Sequence, residues 1–400
     1  MPGSVMSAIQ PKILVWARET AGLSLEEAAH ALGISTARGK TGPERLRAME
    51  AGAEELSRSL IAKMAKEYRR PLLVFYLAEP PRQGDRGQDF RTLPGREQFN
   101  PELDALIRDI KARQGIVRSM LEDDEAEALD FIGSASMMLP VNTMGARITQ
   151  RIGFSLESFR GTKNADEAFA YLRERVEASG VYVLLLGNLG SYHTNMPTKV
   201  FRGFALADTI APMIVINDND ARTAWSFTGL HELVHLFLGQ TGISGESGEN
   251  AIEQYCNNVA GEILLPASEL QQDLVPTKNQ KVSDIAARIA SFAAERRVSS
   301  LMVAYKLYRI GQLPRATWAV IDKTFRDEYE AHKRKEAAVN KKHEGGPNYY
   351  VVRRHRVGHA LLGLVRRSLD EGIITYPKAG RVLGVKPVNV GPLLSMRGAH

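Results

Sequence analysis

The amino-acid sequence predicts an α+β fold that is predominantly α, with one small antiparallel sheet set among many helices. Three observations carry that prediction. Apolar residues recur at helical spacing over most of the chain, strand-like runs are confined to residues 181–216, and capping signals stand ahead of several helical runs. A chain of 400 residues suggests roughly two to four domains. Apolar residues make up 44% and charged residues 24%, a balance that supports a buried core and excludes a wholly disordered chain.

Taken in order, residues 13–20 form a short amphipathic helix that Gly22 ends. Ser24 and Glu27 fit a capping box, and the helix they open, 25–32, stops at Gly33. Helices follow over 44–49 and 56–68, then an apolar stretch at 72–77. Pro80-Pro81 and the polar run behind them mark a linker. Two short helices joined by a Gly turn are the start of a helix-turn-helix module. Residues 101–131 read as one long helix, with Leu103, Leu106, Ile107, Ile110, Ile116, Val117, Met120 and Leu121 at helical spacing. A helix over 169–176 precedes three candidate strands, 181–186, 202–206 and 213–216. Next comes a helix from 221 to 238, started by Asp218 or Asp220 and closed by Gly239, and then a Gly-rich loop, 239–248. Helices over 249–264, 282–293 and 299–310 follow, the last capped by Ser299-Ser300. Residues 333–346 are charged and Gly-ended, hence a helix end or loop.

The formal net charge is +6, but its placement matters more than its sum. Residues 1–80 carry eleven Lys/Arg against nine Glu, whereas residues 351–400 carry nine against Asp370 and Glu371. Arg353, Arg354, Arg356, Arg366 and Arg367 are expected to face water or an acidic partner. Apolar runs fall short of the ~20 residues that cross a bilayer, so no membrane role is expected. Met1–Gln10 lacks a basic-then-apolar signal pattern, and Cys256 is the only cysteine. Both fit a reducing cytoplasm.

The chemistry is concentrated in His231-Glu232-Leu233-Val234-His235. On a helix, residues four apart share a face, so two imidazoles can converge on one ion. Glu232 lies about 100° round from His231, placed to reach water on the metal rather than to replace a ligand. Zn2+ lowers the pKa of such a water to about 7, and Glu232 is the expected general acid/base. With nine histidines in 400 residues, chance yields this pattern roughly 0.01 times per chain. The third ligand is expected from the helix over 249–264. Glu253 borders its apolar side, in a stripe with Cys256, Asn257, Ala260 and Leu264. Glu262 is turned about 180° away, and Glu249 stands at the helix start. Two imidazoles and a carboxylate suit zinc, though manganese or iron can use the same ligands. Tyr192 and His193 are further candidates, for an oxyanion, although a surface pair is the simpler reading. Cys256, on the helix of Glu253, is placed to approach the metal, although a core residue is the simpler reading. His355 and His359 lack a suitably placed Glu and read as non-metal.

Two resemblances extend this reading. ILVWARETAGLSLEEAAHALGI, AMEAG and EYRRPLLVFYLAEPP resemble the N-terminal module of XRE-type helix-turn-helix proteins. The sequence departs from that pattern at 36–42, which intervene before the third helix. FRGFALAD, INDND, AWSFTGLHELVHLFLGQTGIS and IEQYCNNVAGEILLP resemble the ImmA/IrrE metallopeptidases, best over residues 200–270. That likeness implies a zincin-like core, His231, His235 and Glu253 as metal ligands and Glu232 as the catalytic residue. It also implies site-specific cleavage of a partner protein, a transcriptional repressor, in a stress response. The expected organisation is a helix-turn-helix module (1–80), a linker and helical connector (81–145), the peptidase core (146–312) and a basic, helical C-terminal region (313–400). The alternative is a DNA-binding regulator or antitoxin-like protein whose peptidase fold only docks partners. Residues 285–313 have a second helix-turn-helix flavour, although core helices are the simpler reading.

Overall fold

The computed structural model describes residues 9–37, 39–54, 56–81, 100–190, 194–244, 251–274, 280–340 and 348–395. The chain divides into two compact units, Met1–Asp109 and Ile110–His400.

Unit 1 opens with α1 (Pro11–Glu19), whose Ile13, Leu14 and Ala17 are buried on one side. Its α2 (Leu25–Leu32) starts at the expected capping box. The Glu27 amide donates to Ser24 Oγ at 3.1 Å, and the Ser24 amide donates to Glu27 Oε2 at 2.8 Å. Gly33 ends α2 at φ 66°, a left-handed cap that glycine adopts without strain. The intervening residues include an Ala37–Lys40 bridge, and α3 (Gly42–Glu50) then packs on α2. Gly42 makes that packing possible, because a side chain there would run into the Ile34 carbonyl. A helix α4 (Arg58–Glu67) and a 3-10 turn over Leu72–Tyr76 complete the unit. Leu46, Ile61, Met64, Tyr68 and Phe75 join the α1 and α2 residues in one core.

The division between the units falls within α5 (Pro101–Asp123). The predicted helix through residue 131 stops eight residues early. Glu125 takes φ 52°, and the Leu129 amide donates to the Thr209 carbonyl instead of continuing the helix. Then come α6 (Val141–Ile152), α7 (Leu156–Arg160) and α8 (Ala165–Ala178). The sheet follows as β1 (Tyr182–Leu185), β2 (Gly203–Leu206) and β3 (Met213–Ile216). All twelve residues of these strands are buried, as expected of apolar runs covered on both faces.

Helix α9 (Arg222–Phe237) lies on β2 and β3 and against α8. Neither aspartate caps it as expected. Its N-cap is Ala221, while Asp220 pairs with Arg202 and Asp218 with Arg356. A fourth strand, β4 (Gly242–Ser244), emerges from the stretch read as a Gly-rich loop. The sheet order is β1-β3-β2-β4. The expected antiparallel sheet is thus mixed: β2 runs antiparallel to β3 and β4, but β1 pairs in parallel with β3. The reason is that β2 itself is the return segment, so β3 runs the same way as β1.

Helix α10 (Ala251–Leu264) packs across α9 and α6. After it come α11 (Ala267–Asp273), α12 (Val282–Glu295) and α13 (Ser300–Arg309), the last capped by Ser299 Oγ, which accepts from the Met302 amide. Ile285, Ile289, Phe292, Val303, Ala304 and Leu307 belong to the same core as the sheet and α9, so α12 and α13 close this unit. Helix α14 (Arg315–Asn340) carries regular helix into the segment read as a helix end or loop; residues 341–346 of that segment lie outside the described residues.

The unit ends in α15 (Tyr349–Val357), α16 (His359–Asp370), α17 (Tyr376–Leu383) and α18 (Val390–Ser395). Of the arginines expected to face water or an acidic partner, Arg366 is exposed, but three also donate to carbonyls of these helices, and a fourth finds its acid within the chain. Arg353 donates to the Gly384 carbonyl, Arg354 to Leu393, Arg366 to Leu394, and Arg356 pairs with Asp218 at 2.7 Å. The last carbonyls of a helix lack intrahelical donors, and guanidinium groups supply them. Among the described residues no helix is long and apolar enough to cross a membrane.

Candidate metal centre

From Thr228 to Phe237 every residue of α9 is buried. Burying His231, Glu232 and His235 in such a helix is costly unless each is satisfied or used. The spacing of four puts both imidazoles on one side, where α10 crosses and brings Glu253 to them. His231 Nε2 lies 3.1 Å from Glu253 Oε2, His235 Nε2 lies 3.2 Å from Glu253 Oε1, and the two Nε2 atoms are 3.1 Å apart. Ligands bonded to one tetrahedral ion at about 2.0–2.1 Å stand roughly 3.3 Å from each other. The three side chains are therefore at ligand spacing already, and their donor set fits a divalent metal ion.

A residue that sequence reasoning passed over orients this triangle. His231 Nδ1 is 3.0 Å from Asn257 Oδ1. A carboxamide oxygen only accepts, so Nδ1 carries the proton and Nε2 keeps its lone pair for the ion. The available signal was Asn257's place in the Glu253 stripe, four residues on.

The electrostatics agree with this geometry. Burial raises the Glu253 carboxyl pKa, but hydrogen bonds from His231 and His235 outweigh it and bring the value down to about 2. Burial lowers that of His235, yet hydrogen bonds to Cys256 and Glu253 and the charge of Glu232 leave it well above its ordinary value.

Glu232 is fully buried and turns toward the sheet. A Cβ added at Gly203 on β2 would stand 2.7 Å from Glu232 Oε1 and 2.7 Å from Thr228 Cγ2. The bare backbone of Gly203 is the floor on which this carboxyl rests. Cys256 is buried, as expected of a core residue, but also stands beside the histidines: the donor atoms of His231, His235 and Cys256 all lie within 4.8 Å of one another. His355 packs against Trp225, and the His359 amide donates to Glu177. Tyr192, His193 and Glu249 lie outside the described residues.

Residues 176–308, about a third of the chain, match the family model described as the IrrE N-terminal-like domain, Peptidase_M78. No curated protein and no solved structure matches the chain. The matched span contains the sheet, α9 and α10, so the part of the chain that carries the donor cluster is similar to an IrrE N-terminal-like peptidase domain.

Proposed function

We propose that the chain is a zinc-dependent endopeptidase in which His231, His235 and Glu253 hold the ion and Glu232 moves the proton. The observation that carries this reading is the 3.1–3.2 Å triangle of donors beside a fully buried carboxyl. A bound zinc ion supplies Lewis acidity, which acidifies water and polarises a peptide carbonyl. Glu232 takes the proton of the attacking water on its carboxylate and delivers it to the leaving amine. Asn257 holds the His231 ring in the tautomer that presents Nε2. Gly203 leaves the space in which the Glu232 carboxyl lies.

Metal analysis of the purified chain beside Glu253→Ala tests the ligand set. Stoichiometric zinc is expected in the wild type and a large loss in the variant; undiminished zinc in Glu253→Ala overturns the assignment. A second substitution tests the floor of the site. Gly203→Ala is expected to push Glu232 and Thr228 aside and to lower peptide hydrolysis at least about tenfold, because general acid/base catalysis needs hydrogen-bond reach. Zinc content should stay unchanged, and full activity in that variant would remove Gly203 from the site.

The substrate is a partner protein, and the resemblance favours a transcriptional repressor in the cytoplasm. Unit 1, with its capped α2 and closely packed α3, is read as the helix-turn-helix module that recognises DNA or that partner. Residues 81–145 act as linker and connector, 146–312 as the peptidase core and 313–400 as a helical C-terminal region. Metal-dependent cleavage of a candidate repressor at one site supports the substrate reading, and an intact repressor after prolonged mixing removes it.

A further inference from the structure

We propose that Cys256 is a fourth protein donor to the same ion, so that the resting centre is a closed set of two histidines, a glutamate and a cysteine. This inference rests on the metal reading above and deepens it. Helix α10 presents Glu253, Cys256 and Asn257 at offsets of zero, three and four, which is one side of a helix. Two members of that stripe already contact His231, and the donor atoms of His231, His235 and Cys256 lie within 4.8 Å of one another. Cys256 is fully buried. Its sulfur therefore has this cluster, not solvent, as its polar surroundings.

A thiolate is a strong donor to zinc, with a bond of about 2.3 Å. Donors sharing a tetrahedral ion stand roughly 3.3–3.7 Å apart. The donor atoms of His231, His235 and Cys256 lie within 4.8 Å of one another, so closing the set asks for the Cys256 side chain to move in toward the two imidazoles. On coordination the thiol gives its proton to solvent and the sulfur lone pair goes to the ion, with no oxidation or reduction. A closed four-ligand site has no position for water, whereas an open three-ligand site has one. Cys256 thereby sets the balance between a latent and a hydrolytic centre, and Glu232 has a proton to move only when the sulfur is off the ion.

The chain contains a single cysteine, so a thiolate signal can come from one place. The test is the absorption spectrum of the full chain loaded with cobalt(II) in place of zinc, beside Cys256→Ala. The expected result is one cobalt per chain in both, visible ligand-field bands in both, and a near-ultraviolet sulfur-to-cobalt charge-transfer band in the wild type alone. One bound cobalt with ligand-field bands but no charge-transfer band overturns the role of Cys256 and leaves the metal reading standing. No cobalt bound at all removes the metal reading, and this inference with it. If Cys256→Ala does not fold, Cys256→Ser is measured in its place, and persistence of the band there also overturns the proposal.

Discussion

Glu232→Gln is expected to leave zinc content and fold intact while lowering peptide hydrolysis by about 10²–10⁴-fold, the range for loss of a positioned general acid/base. The substitution keeps the shape of the side chain, so the packing on Gly203 and Thr228 persists. It removes the atom that accepts the proton. Two readings of a fully buried carboxyl predict opposite signs for stability. If Glu232 is structural, the amide weakens the fold. If it is catalytic, the neutral amide relieves the cost of burying an anion, and the variant unfolds at an equal or higher temperature. Hydrolysis of the cognate protein under single-turnover conditions, measured with thermal unfolding of both forms, separates them. Wild-type hydrolysis in Glu232→Gln would remove the assignment.

What could be read in the sequence was what repeats with helical or strand period. The spacing of His231 and His235 fixes their common face by covalent geometry alone, and the offset argument on the next helix led to Glu253, which lies within 3.2 Å of both rings. The mixed sheet was not legible, because continuous apolar strands carry no sign of their partners' direction. Nor was the work of Arg353, Arg354 and Arg366. Their partners are carbonyls of Gly384, Leu393 and Leu394, some 28 to 39 residues away, and a charge count cannot distinguish such a donor from a solvated one. For Cys256 the sequence left two readings side by side. A buried helical cysteine reads as core, and it is core; that the same position adjoins two imidazoles depends on how α10 crosses α9.

The largest expected effect on stability lies away from the donor cluster, at Glu177→Ala. Arg173 and Glu177, one turn apart on α8, form an ion pair at 2.9 Å with both side chains less than a tenth exposed. Burial lowers the Arg173 pKa and Glu177 opposes it, and the guanidinium stays charged. The pair fills the corner between α15 and α16. Arg173 donates to the carbonyls of His355, Arg356 and Val183, while Glu177 Oε2 accepts from the amides of His359 and Ala360, each at 3.0 Å. One helix end thus receives a cation and the next helix start an anion, the signs that helix dipoles favour. Gly358 turns the corner at φ 88°, and a side chain there would collide with both charged groups. Removing Glu177 leaves a buried guanidinium uncompensated, which costs about 3–5 kcal/mol, and strips two amides of their acceptor as well. Replacing both residues by apolar ones, which is often neutral for a buried pair, should still destabilise here, because the backbone groups at the corner lose their partners in either case. Urea unfolding of the single and double variants measures both effects. A loss below about 1 kcal/mol for Glu177→Ala, the level of an exposed pair, would show that this corner does not hold the C-terminal helices to the core.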